Sequence, residues 1–211
     1  MNITLNLVES EAQIMRKVNA AIAPSINIYL DKRLPAIIAG ARQLVISWVT
    51  NSNAMESLAQ ASPDSLAGAF GVRPSSAIDI VSVIAESVAA STTVEMKKFD
   101  ANLKGSLSLS VQPDDFINLL SLPQGHTIYD GGDLHWLQWL ITIGNAPIVR
   151  NYHYEAGSGR GRTGLGVMAS GGSFRVPPEY SGTIDDNFIT RALSGVSKEN
   201  QIASMIERIL K

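Results

Sequence analysis

The chain has 211 residues, a formal net charge of -2, 45 % hydrophobic and 17 % charged residues, and no cysteine. A chain of this size and apolar content buries a real core, which excludes wholesale disorder, and its near-neutral charge argues against a strongly cationic nucleic-acid coat. The absence of cysteine removes disulfide scaffolds, thiolate zinc sites, iron–sulfur clusters and cysteine-nucleophile catalysis together.

The N-terminus, Met1-Asn2-Ile3-Thr4, has neither a basic region nor a small-residue cleavage site behind an apolar stretch. No run reaches the ~20 apolar residues of a membrane span, so neither a signal peptide nor a transmembrane helix is expected. The first predicted element is a helix from Ser10, because Ser10 and Gln13 have capping-box spacing. Ile14, Val18, Ile22, Ile26, Leu30, Leu34 and Ile38 then recur at four-residue steps, one apolar stripe over roughly forty residues. Pro24 and Pro35 lie inside it and predict a kink or a break at each. A denser apolar run follows at Leu44, Val45, Ile46, Trp48 and Val49, and Asn51-Ser52-Asn53 is a turn signal.

Ser62-Pro63-Asp64 reads as the start of a short helix that stops at Phe70-Gly71. Ser76 is the expected cap of the next helix, with Asp79 three residues on and Ile80, Val83, Ile84 and Val88 as its buried face. The period then changes. Leu103 to Val111 alternates as a half-buried strand, and Pro113-Asp114-Asp115 opens a helical turn carrying Phe116, Leu119 and Leu120. Tyr129 to Asp133 is a turn. Leu134 to Ile143, with Trp136 and Trp139, suits either a buried helix or a strand. Pro147 to Tyr154 reads as a strand and Gly157 to Gly164 as a polar loop. Leu165 to Met168 and Ser173 to Val176 are expected as two strands around a Gly171-Gly172 turn. Asp185 or Asp186 is the expected cap of a last helix with Phe188, Ile189 and Leu193, which Ile202, Met205, Ile206 and Ile209 continue after a break at Gly195.

The expected fold class is therefore α+β: a long kinked N-terminal helix and helical corner, a small antiparallel β module with a long loop, and a short C-terminal helix. Residues 1–95 form the helical region and 96–211 the β-rich region, within one integrated domain.

Four strings bear on chemistry. His153-Tyr154-Glu155-Ala156-Gly157-Ser158-Gly159-Arg160-Gly161-Arg162-Thr163-Gly164 resembles a tyrosine-phosphatase phosphate loop, but Tyr154 stands where the thiolate belongs and the loop is two residues too long. No lysine follows the glycines, so it is not a Walker loop. His126, Asp130, Asp133 and His135 supply metal-ligand residue types within ten positions, but Asp130-Gly131-Gly132-Asp133 also suits a plain turn and no fourth ligand is evident elsewhere. Ala67, Gly71, Ala77 and Ile80 fit a helix-turn-helix template; Arg73 is the second helix's sole basic residue, followed by Asp79 and Glu86, which is poor for phosphate contact. Gly157-Ser158-Gly159 is not a nucleophile elbow. No catalytic residue, cofactor or metal is expected.

As a set, Leu134-His135-Trp136-Leu137-Gln138-Trp139-Leu140, Gly161-Arg162-Thr163-Gly164-Leu165-Gly166-Val167-Met168, Phe174-Arg175-Val176-Pro177-Pro178-Glu179-Tyr180-Ser181-Gly182-Thr183 and Asp186-Asn187-Phe188-Ile189-Thr190-Arg191-Ala192 resemble virion structural proteins of tailed bacteriophages. The resemblance covers residues 100–211 best, and the layout is similar to tail-completion and neck proteins. It implies a non-enzymatic subunit of a homo-oligomeric ring joining head to tail, located in the virion and, during assembly, in the host cytoplasm. Its partners would be itself, neighbouring neck, connector or tail proteins and, through a non-specific contact, packaged DNA, with no membrane. A helix-turn-helix regulator and a metal- or phosphate-dependent hydrolase are the alternatives. The expected interface residues are Ile14, Val18 and Leu30 on the stripe and Arg160 and Arg162 in the loop.

Overall fold

The computed structural model describes residues 9–111, 116–129 and 131–211. The expected turn at Pro113-Asp114-Asp115, and Asp130, lie outside these residues. The molecule is mixed helix and strand, as the change of period predicts.

Helix α1 (Glu11–Thr50) is 40 residues long. Its start is the expected capping box: Ser10 accepts from the backbone of Gln13, whose side chain accepts from the Ser10 N–H at 2.9 Å. The predicted break does not occur, because the helix runs uninterrupted through Pro24 and Pro35. Neither proline has an N–H for the carbonyl four residues back, at Ala20 and Asp31. All four positions are exposed, so water can serve those carbonyls. Helix α2 (Asn53–Gln60), which the sequence reading did not anticipate, follows at once.

Helix α3 (Leu66–Phe70) starts later than expected, with Ser65 as N-cap rather than Ser62. Ser65 Oγ instead donates to the Ser62 carbonyl at 2.8 Å, folding the Ser62-Pro63-Asp64 segment into a turn. Gly71 ends α3 at φ 66°, the left-handed conformation glycine adopts without cost, and Val72 N–H closes back on the Ala67 carbonyl at 2.8 Å. Helix α4 (Pro74–Ala90) begins at Pro74 with Arg73 as N-cap, so Ser76 lies inside it. Its buried face is Ala77, Val81, Ile84, Ala85 and Val88, rotated slightly from the expected one and packed against α1 and α2.

Among the described residues, three two-stranded antiparallel hairpins follow. Strand β1 (Thr93–Lys97), missed in the sequence, pairs with β2 (Ser106–Ser110) in the register Glu95↔Ser108. Leu103, expected in the strand, lies in the connecting turn at φ 57°. After α5 (Ile117–Leu120), β3 (Thr127–Tyr129) pairs with β4 (Gly132–Leu134). Residues 136–141 are helix α6 (Trp136–Ile141), which settles the helix-or-strand ambiguity. Strand β5 (Val149–Ala156) pairs with β6 (Gly166–Phe174), one continuous strand rather than two. Gly171 and Gly172 are not a turn but a bulge opposite Asn151, between the pairs Arg150↔Ser173 and Tyr152↔Ser170. Asn151, Gly171 and Gly172 all have positive φ there, and these residue types carry it at low cost.

Helix α7 (Phe188–Leu193) is capped by Asn187, not Asp185 or Asp186. The Asn187 carboxamide oxygen accepts from Ile189 and Thr190, and its amide donates to the Thr183 carbonyl at 3.0 Å. Asp186 instead takes a two-pronged ion pair from Arg191, at 2.6 and 2.8 Å. Helix α8 (Val196–Leu210) runs back along α1. A Cβ built on Gly40 would lie 2.7 Å from Met205 Sδ, so the Met205 side chain of α8 packs directly over Gly40 of α1.

One contiguous core joins the halves: Val45, Met55, Leu58, Phe70 and Ile84 pack with Leu119, Trp136, Leu140, Phe174 and Ile189. The expected regions 1–95 and 96–211 thus share a single core, and β1 begins before the boundary between them.

Candidate functional site

The apolar stripe on α1 has two fates. From Ile26 inward, Ile26, Leu30, Leu34 and Ile38 are half-buried and Ile37, Ala41 and Val45 fully buried. The inner part is clasped by Asn27, which exchanges hydrogen bonds with the Phe99 backbone at 2.8 and 3.1 Å, and by Tyr29, whose hydroxyl donates to the Leu210 carbonyl at 2.9 Å. Outward of Ala23 the stripe is open: Met15 is 53 % exposed and Val18 and Ile22 are 44 % exposed, with Ile14 beside them. The lengths explain this. At 1.5 Å per residue the helix is about 60 Å long, whereas a compact chain of this size is about 43 Å across as a uniform sphere. The outer turns therefore overhang the fold. Of the three expected stripe residues, Ile14 and Val18 lie on this open end, and Leu30 is half-buried at the clasp.

The loop carrying Arg160 and Arg162 connects β5 to β6 and is ordered by its own chain. Gly157 N–H donates to Leu165 O at 2.9 Å, Gly159 to Gly164 O at 2.7 Å and Gly166 to Arg160 O at 3.1 Å. These amide donors therefore turn onto the loop's own carbonyls, unlike those of a phosphate-binding nest. Arg160 is exposed and paired with Glu155 at 3.3 Å, and Arg162 donates to the Gly71 carbonyl at 2.9 Å, pinning the loop to the end of α3. Both guanidinium groups nonetheless remain on the surface.

The same hairpin is moored by Tyr154, whose hydroxyl is shared between the carbonyls of Pro63 at 2.9 Å and Leu165 at 2.8 Å. Burial, and then the nearby Asp64 carboxylate, push its ionisation above the ordinary tyrosine value of 10.0. The folded state thus holds this proton more firmly than the unfolded chain. The associated stability is fully present below pH 10 and is lost as pH rises through the folded-state value. In an absorbance titration of the five tyrosines, Tyr154 should ionise last, and Tyr154→Phe should remove that late step. A late step unchanged in the variant would contradict the assignment.

A cleft of about 700 Å³ lies between this hairpin, the α3 terminus and α6, walled by Phe70, Trp139, Tyr152, Tyr154 and Phe174, with Arg162 at its edge. Asp133 also lines it. Asp133 meets both imidazoles of the His-rich string: His126 Nδ1 is 2.8 and 2.9 Å from its two carboxylate oxygens, and His135 Nε2 is 3.2 Å from one of them. The sequence placed these residues close in number; the hairpin register that brings them onto one face was not legible in it. His153 lies apart, against Glu155 at 3.4 Å.

At the α3–α4 corner the template positions Ala67 and Ala77 are both buried, with Gly71 in the turn between the helices. The inner face of α4 is spent on the core and its outward face carries Ile78, Asp79 and Glu86, which suits no phosphate backbone. Among the described residues, no helix is long and apolar enough to cross a membrane. No family model, no curated protein and no solved structure matches this chain.

Proposed function

We propose that this chain is a structural subunit of a tailed-phage virion, forming a homo-oligomeric ring at the neck or upper tail that helps join head to tail. The observation that carries the reading is the overhanging end of α1, where Ile14, Met15, Val18 and Ile22 form an open apolar seam on a helix rooted in a packed core. Their three- and four-residue spacing is that of a helix–helix seam, and burial of each such side chain is worth about 1.5–3 kcal/mol. A second copy of the same helix matches such a seam in length and in apolar character. Packed side by side around a common axis, each copy of the helix meets one neighbour on each flank, and this heterologous contact closes into a ring when the rotation between subunits permits. The resemblance of residues 100–211 to tailed-phage virion proteins supplies the setting, and a cysteine-free chain without an evident catalytic set is consistent with assembly rather than turnover.

Arg160 and Arg162 are assigned a second, weaker contact with a neighbouring subunit, a connector or tail protein, or packaged DNA. An exposed arginine pair contributes about 0–1 kcal/mol, and a ring repeats it at every junction. Arg160→Ala with Arg162→Ala should leave the melting temperature within a few degrees of wild type and weaken assembly severalfold in sedimentation experiments. Assembly identical to wild type would make the loop a connector alone.

Negative-stain microscopy of the purified protein tests the ring, and antibody labelling of virions tests its place. Closed rings and label at the head–tail junction are expected. Open filaments, or label confined to the capsid shell or distal tail, would overturn the assignment.

A further inference from the structure

We infer that His126, Asp133 and His135 form a binding site for a divalent transition-metal ion of the Zn(II) class, a property beyond the assembly role. The register Thr127↔Leu134 makes residues 126 and 135, which directly flank the strands, the next facing pair at the open end of the β3–β4 hairpin, and residue 133, in β4, lies two positions before 135. Side chains on a strand alternate, so all three project from one face. The imidazole rings stack with centroids 4.8 Å apart and planes 4° from parallel. One ligand atom from each residue falls within 4.8 Å of the others, and Asp133 already touches both rings.

The fit to an ion follows from bond lengths. Tetrahedral Zn(II) with nitrogen and oxygen ligands at about 2.0–2.1 Å separates its ligand atoms by about 3.4 Å. The two shorter contacts are already near that value, and the widest separation must contract by about 1.4 Å. Rotations of partly exposed side chains supply such a movement; the His135 and Asp133 side chains are 49 % and 38 % exposed. Two imidazoles and one carboxylate favour zinc, nickel, cobalt or ferrous iron over calcium and magnesium, which take oxygen ligands. Three protein ligands leave a fourth position for water or for a carboxylate of another molecule. Because Asp133 also lines the aromatic cleft, the ion would sit at the cleft's rim and clip together the two ends of the hairpin.

The chain's third histidine, His153, is an internal control. Untagged protein titrated with Zn(II) in a calorimeter should bind one equivalent per chain at micromolar or tighter concentration. His135→Ala should weaken binding at least tenfold, and His153→Ala should leave it unchanged. Independently of any variant, Zn(II) should shift the imidazole proton resonances of His126 and His135 in the wild-type NMR spectrum and spare those of His153. Binding no tighter than millimolar, binding that survives His135→Ala, or a shift confined to His153 would overturn the site.

Discussion

Val18→Glu combined with Ile22→Glu should turn the assembled protein into monomers without unfolding it. Both side chains are nearly half exposed on the overhanging part of α1. Their replacement removes little from the subunit's own core, and glutamate is a better helix former than either residue. Losing two buried apolar contacts at about 1.5–3 kcal/mol each, and placing a carboxylate against each neighbour, should raise the dissociation constant of a junction at least a hundredfold. Circular dichroism should report unchanged helicity while light scattering reports the loss of mass. Leu30→Glu is the contrasting variant: Leu30 is half-buried at the clasp, so this change should lower the melting temperature of the subunit itself. A double variant that remains assembled would show that the seam is not the contact.

Trp136 should be the most costly core position to truncate. It is fully buried at the start of α6, and its indole stacks on Phe70 of α3 with centroids 5.3 Å apart and planes 15° from parallel. It therefore joins the β-rich half of the chain to the helical half. Trp136→Ala should lower stability by about 3–5 kcal/mol, the range for deleting a large buried aromatic side chain. Trp136→Phe should cost far less. It keeps the stack, and the indole N–H it removes has no acceptor among the described residues, so a buried unsatisfied donor disappears with it. Urea denaturation of the two variants measures the difference. Equal losses would contradict the claim that the ring stack on Phe70 carries the stability.

The features readable from the sequence were those set by neighbouring residues. The Ser10–Gln13 capping box, the stripe from Ile14 to Ile38 and the Phe70-Gly71 stop all depend on spacing within one or two turns. The features that escaped depend on partners distant in the chain. Which end of the stripe is open follows from where Phe99 and Leu210 clasp α1. Strand β1, Thr-Val-Glu-Met-Lys, has only two inward positions, and its identity comes from β2 across the turn. Gly171-Gly172 suits a turn as well as a bulge, and only pairing with Asn151 decides between them. Prolines 24 and 35 do not break α1, and the residues whose carbonyls they leave without an N–H, Ala20 and Asp31, lie on its exposed side. The His126–Asp133–His135 face became visible only once the hairpin register fixed which side chains stand opposite each other.

The central claim is that α1 carries the contact between identical subunits. Native mass spectrometry of the purified, untagged chain over a range of micromolar concentrations tests it most directly. A single closed oligomer at an integral multiple of 22.6 kDa, converted to monomer by the Val18 and Ile22 substitutions, is the predicted result. A wild-type chain that stays monomeric at every concentration would contradict it.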